Sequence, residues 1–116
     1  LMAVKFSISN NNTQSSLIVF LKKYNGFVFC PLGDFLNFEG DKFIAIDNKD
    51  KEENINFLSK KVRGGKNYKT IFFLPTRYNK IFLPENITPL SYPIPFKAFI
   101  KKINIFFEYH LLKYKI

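Results

Sequence analysis

Residues 41–65 read DKFIAIDNKDKEENINFLSKKVRGG. Phe43, Ile44, Ala45 and Ile46 form a short apolar run that stops on Asp47, which are the length and residue types of a buried strand. After the turn the period changes. Ile55, Leu58 and Val62 recur at three and four, with Glu52 and Glu53 in the first turn and Lys60 and Lys61 in the last, an order that suits the helix macrodipole. Gly64-Gly65 supply a stop. A buried strand passing through an acidic turn into an amphipathic helix is half of a βαβ unit. An aspartate at that junction is either a reactive carboxylate or the polar residue that ends a strand.

The flanking sequence repeats the alternation. AVKFSIS (3–9) sets Val4, Phe6 and Ile8 against Lys5, Ser7 and Ser9, which is strand periodicity. In the next segment Asn12 or Thr13 can cap a helix whose buried side is Leu17, Ile18, Phe20 and Leu21, and Asn25-Gly26 end it. FVFCPL (27–32) predicts a short strand, and GDFLNFEG (33–40) leaves room for a turn or two of helix between its glycines. Downstream, TIFFLP (70–75) predicts a buried strand, while TRYNKIFLPENI is short and interrupted by proline. TPLSYP (88–93) predicts a last strand, placed at a sheet edge by its prolines. From Pro95 onward Phe96, Phe99, Ile100, Ile103, Phe106 or Phe107, His110 and Tyr114 mark one helix face, with lysines opposite.

Strands alternating with helices imply a parallel sheet covered on both sides, and right-handed crossovers leave few topologies. The expected fold is an α/β, doubly wound, five-stranded parallel sheet of flavodoxin-like order 2-1-3-4-5, with shortened second and fourth helices. Lys5 and Ser7 make strand 1 polar for a central strand, which predicts a thinly covered face beside the second helix. Ligands of such sheets bind beyond the carboxyl ends of the strands where strands 1 and 3 meet, which points to Ser9, Asn10 and Asp47.

Composition narrows the function classes. The 116 residues predict one domain spanning 2–116, with Leu1 read as an expression remnant ahead of Met2. Cys30 is alone, so there is no disulfide framework and no zinc quartet, and it reads as a small apolar filler. There is no signal-peptide pattern and no apolar run near the ~20 residues of a membrane span, so a cytoplasmic protein without a membrane partner is expected. The net charge of +9 would suit an anionic partner, yet only two of the eighteen bases are arginine. The lysine and asparagine excess resembles an AT-rich codon bias, and direct nucleic-acid binding by this domain is not expected. One histidine and one cysteine offer no partner set for conventional catalysis, so the chain is not expected to be an enzyme. His110 reads as a core-edge residue, RGGK (63–66) as a helix stop lacking Walker spacing, and Asp50, Glu52 and Glu53 as solvated first-turn acids, one of which could lend an oxygen to a weak cation site.

Several local patterns then coincide. Ser9-Asn10 follow strand 1, Gly26 opens strand 2, Asp47 ends strand 3, FFLPT puts Pro75 or Thr76 after strand 4, and IPFKAFIKKI leads into the last helix. Over nearly its whole length the chain resembles the receiver domain of bacterial two-component response regulators. The resemblance implies that Asp47 stands at the phosphoacceptor position, Ser9 and Asn10 at the acidic pair, Pro75 or Thr76 at the switch hydroxyl, and Ile94 at the lysine. It also implies a cis peptide before Pro95. The departures matter: the acidic pair and the acceptor hold Mg²⁺, and here two formal negative charges and the phosphoryl-pairing cation are missing. The expectation is therefore an atypical, degenerate receiver in phosphorelay-type signal transduction, with no resident metal or cofactor. Mg²⁺ is expected only if the site at Asp47 works. Its partners would be proteins, a histidine kinase or an effector domain, or a second copy in a homodimer. The rivals are a conventional phosphorylatable receiver using Asp47 and a small basic nucleic-acid-binding protein.

Overall fold

The computed structural model describes residues 4–10, 16–23, 26–63 and 67–107, with the side chains at 16–18 left aside. The expected caps at Asn12 or Thr13, the stops at Asn25 and Gly64-Gly65, and His110 and Tyr114 lie outside these residues.

Five strands form one sheet: β1 (Val4–Ile8), β2 (Phe27–Phe29), β3 (Lys42–Ala45), β4 (Thr70–Pro75) and β5 (Ile87–Tyr92). All pairings are parallel and the order is β2-β1-β3-β4-β5, the doubly wound flavodoxin-like arrangement. Among the described residues three helices connect the strands, α1 (Ser16–Lys22), α2 (Leu32–Asn37) and α3 (Glu52–Lys61), and α4 (Phe96–Phe106) follows β5. Between β4 and β5 the described chain makes only a 3₁₀ turn, Thr76–Tyr78. Both crossovers expected to be short are short: α2 has six residues, and the β4–β5 connection keeps no α-helix.

Strand alternation sorts the core into two layers. Val4, Phe6, Phe43, Ile71, Phe73 and Leu90 face α1 and α4, where Leu21, Phe99, Ile100, Ile103 and Phe107 close over them. Ile44, Ile46, Phe72, Leu74 and Ile87 face the other way, against Phe35, Ile55, Leu58 and Val62 from α2 and α3. All six residues of β4 are buried, as its unbroken apolar run demands of a strand covered on both sides.

Three expectations need correction. At β1 the face beside α2 is covered, since Ser7 is fully buried and the Lys5 ammonium lies 4.6 Å from the Phe38 ring centroid, whereas Val28, beside Lys5 on β2, stays 46% exposed. Gly40 permits this lid: a Cβ there would overlap the Phe38 ring. Phe96 does not join the buried face of α4 but is 56% exposed at the helix entry, where its ring meets Phe20. The cis peptide precedes Pro93, not Pro95. Pro95 instead serves as the N-cap of α4, where its carbonyl accepts the Phe99 N–H at 2.9 Å.

Lys42 is 0% exposed although it opens β3. Its ammonium donates to the carbonyls of Phe38 and Arg63, the residues that follow α2 and α3, and lies 5.7 Å from the Phe35 ring centroid. One buried cation thus ties off the C-terminal ends of both helices on that face, in keeping with the rule that buried charges are hydrogen-bonded.

Candidate functional site

The carboxyl ends of β1, β3, β4 and β5 bring the expected site residues to one edge of the sheet. Ser9 and Asn10 follow β1, Asp47 stands two residues past β3, Pro75 ends β4, Thr76 follows it, and Ile94 and Pro95 follow β5. Asp47 is half-buried and shapes its own turn, its Oδ1 accepting the Lys49 N–H at 2.6 Å. This is an Asx-type contact, the local bond that makes Asp a turn former. The Asp47 N–H in turn donates to Ser9 Oγ at 2.8 Å and to Asp50 Oδ2 at 3.1 Å.

Asp50 is the hub of this group, which corrects its reading as a solvated helix acid. Ser9 Oγ donates to its Oδ2, and Asn54 Nδ2 donates to its Oδ1 at 2.9 Å. Glu52 and Glu53 do remain exposed. Ser9, expected to stand at an acidic-pair position, serves here as a cross-link from β1 to the β3–α3 turn. Asn10 beside it is half-buried.

A second set of bonds ties that turn to β4 and β5. Arg77 donates to Asn48 Oδ1 at 3.2 Å, to the Asn48 carbonyl and to the Asp50 carbonyl at 3.2 Å. Tyr78 Oη donates to the Asp50 carbonyl at 2.5 Å. Thr76, not Pro75, brings the hydroxyl at the end of β4, and it donates to the Tyr92 carbonyl at 2.7 Å. Tyr92 Oη reaches back to the Ile46 carbonyl at 2.6 Å, next to Asp47. Burial, followed by the Asp47 carboxylate, pushes the Tyr92 hydroxyl up to about 12, with Arg77 opposing.

A divalent cation fits this donor set poorly. Mg²⁺ needs several oxygens in near-octahedral geometry, with carboxylates among them. Here Asp50 accepts hydrogen bonds on both oxygens, Ser9 Oγ donates one bond and accepts another, and Asp47 Oδ1 holds the Lys49 amide. Among the described residues no three His, Cys, Asp or Glu side chains converge for a metal. Ile94, expected at a lysine position, packs against the apolar core and offers no cation.

Beside the cluster lies an apolar cleft of about 400 Å³, lined by Phe20, Phe73, Tyr92, Pro93, Ile94, Phe96 and Phe99. It opens between the first turn of α4 and the middle of α1. Tyr92 belongs to both features: its ring lines the cleft and its hydroxyl bonds the Asp47 turn.

Sequence patterns identify Asp47 and Ser9 but miss Asp50, Arg77, Tyr78 and Tyr92 as partners. Arg77, one of two arginines in a lysine-rich chain, was the one compositional signal. Comparison of the chain with protein-family models, with curated proteins and with solved structures found no match.

Proposed function

We propose that the chain is a receiver-like signalling module that acts by protein–protein contact, with neither catalytic turnover nor Mg²⁺-dependent phosphoryl transfer. The observation that carries this reading is the closed set of bonds among Ser9, Asp47 and Asp50. Phosphoryl transfer to a carboxylate depends on charge neutralisation by a metal and a nearby cation. Ser9 and Asp50 bond each other, Ile94 supplies no charge, and the Arg77 guanidinium in this turn is engaged by Asn48 and the Asp50 carbonyl, so the arrangement fits a metal poorly and commits its cation to the turn. What remains is a rigidly tied edge, from Ser9 through the Asp47 turn to Thr76 and Tyr92.

An output that does not depend on phosphorylation has to be read from surface contact, and a kinase-type or effector domain or a second copy is the partner class this implies. The strand order and the placing of Asp47, Thr76 and the Pro95–Phe96 helix entry support the receiver comparison.

Beryllofluoride with Mg²⁺, a phosphoryl mimic, tests the reading by NMR. Amide signals from 46–50 are expected to stay in place. A saturable, Mg²⁺-dependent shift of those signals that disappears in Asp47→Ala would overturn it in favour of a conventional receiver.

A further inference from the structure

The cleft between α1 and α4 encloses about 400 Å³, within the roughly 300–1,000 Å³ of small-molecule pockets. Five of its seven lining residues are aromatic (Phe20, Phe73, Tyr92, Phe96 and Phe99), and none of the seven is charged. Its rings stand at angles to one another: Phe20 and Phe96 lie 4.7 Å apart with planes at 83°, and Phe73 and Phe99 lie 5.3 Å apart at 62°. An uncharged wall of rings accepts an apolar body. Rings also attract a cation, because the quadrupole makes their faces negative.

The chain's own cations use other rings. Six cation–ring contacts among the described residues span 4.6–5.7 Å, and none is made by Phe73, Tyr92, Phe96 or Phe99. Lys22 lies over Phe29, and Lys97, Lys101 and Lys102 stay exposed on α4 while Phe99, Ile100 and Ile103 are buried. The charges that do reach the wall come from the Asp47 turn. Tyr92 Oη donates to the Ile46 carbonyl at 2.6 Å, one residue from Asp47. After burial, the Asp47 carboxylate does most to keep that hydroxyl protonated, and Asp50 acts in the same sense. Arg77 opposes them, but its guanidinium is bonded to Asn48 and the Asp50 carbonyl and lies 4.7 Å from the Tyr78 ring centroid. Two carboxylates against one committed guanidinium favour a positive ligand at the Tyr92 end and disfavour a negative one.

We infer that the cleft binds small alkylated ammonium ions, with its aromatic rings around the alkyl groups and the carboxylates of the Asp47 turn setting the sign of the charge. Alkylation matters because a bare ammonium gives up hydrogen bonds to water that an apolar wall does not replace. A methylated one has no N–H to satisfy and keeps its attraction to the rings. Such binding needs neither Mg²⁺ nor phosphorylation, so it stands apart from the reading proposed above.

The test titrates the ¹⁵N-labelled chain with three probes of one shape: choline, its neutral carbon isostere 3,3-dimethylbutan-1-ol, and the anion 3,3-dimethylbutyrate. The buffer holds about 0.15 M salt, where exposed charges beyond ~8 Å are largely screened. Choline is expected to give saturable shifts at Phe20, Ile94 and Phe96, and to bind about three- to thirty-fold more tightly than the alcohol. The anion should bind most weakly. Phe96→Leu, at an exposed position, keeps an apolar side chain without a ring and should narrow choline's advantage. Asp47→Asn leaves an oxygen for the Lys49 N–H and should weaken choline about two- to five-fold, with the alcohol unchanged. Phe82→Leu, 87% exposed and outside the cleft, should alter none of these affinities.

Absence of saturable choline shifts, or equal affinity for choline and the alcohol, would overturn the inference. Tighter binding of the anion would do the same. An advantage for choline that survives both Phe96→Leu and Asp47→Asn would put the ion elsewhere and overturn the site. Binding of a peptide carrying trimethyl-lysine, but not of choline, would overturn the small-ligand assignment in favour of a docking surface.

Discussion

Asp47 illustrates how neighbours decide what a carboxylate does. Its position at the end of β3 is legible from a local pattern, four apolar residues and a stop. Its chemistry depends on Ser9, which lies 38 residues away, and on the hub at Asp50, which no local pattern marks. Lys42 shows the same limit from the other side. In sequence it looks like a solvated flank of β3, yet carbonyls from Phe38 and Arg63 close over it. Burial pulls its ammonium down from 10.5 to about 8. Between those values the unfolded chain holds a proton that the folded chain has released, so this residue makes stability rise with pH from about 8 toward 10.5. The neutral amine keeps two N–H donors for its two carbonyls, so the bonds survive the change. Burial raises Cys30 and Tyr92, which act in the opposite sense above their unfolded values of 9.0 and 10.0. A comparison with Lys42→Met isolates the lysine. Denaturant midpoints measured from pH 7 to 10 should rise in the wild type relative to the variant, and parallel profiles would show that Lys42 does not titrate there.

At the scale of elements, periodicity was the reliable guide. α4 buries Phe99, Ile100, Ile103 and Phe107 at three- and four-residue spacing and leaves Ile105 67% exposed. Ile103→Ala should therefore cost about 2–5 kcal/mol of unfolding free energy. Ile105→Ala should change it by less than about 0.5 kcal/mol. Urea titrations of the two variants check this, and equal losses would contradict the assigned face. The residues after β4 were not legible, because Thr76–Tyr78 form a single 3₁₀ turn held by Arg77 and Tyr78 bonds to Asn48 and Asp50. A connection ordered by long-range bonds carries no period to read. The entry to α4 was misjudged for a related reason. In YPIPF both prolines are compatible with a bend, and only the packing around Ile94 and Phe96 distinguishes their roles.

At the scale of the molecule, the alternation of strand and helix patterns was enough for the order β2-β1-β3-β4-β5, since right-handed crossovers leave few other arrangements. The same sheet brings Ser9, Asp47, Thr76 and Tyr92 to one edge, and bonds spanning 16 to 46 residues then lock them together. The proposed function rests on that locked edge, whose donors fit a metal poorly and whose Tyr92 hydroxyl is tied to the residue before Asp47. The most direct test is the intact mass of the chain after incubation with acetyl phosphate and Mg²⁺. An unmodified mass is expected. A gain of one phosphoryl group, absent from Asp47→Ala, would contradict the account.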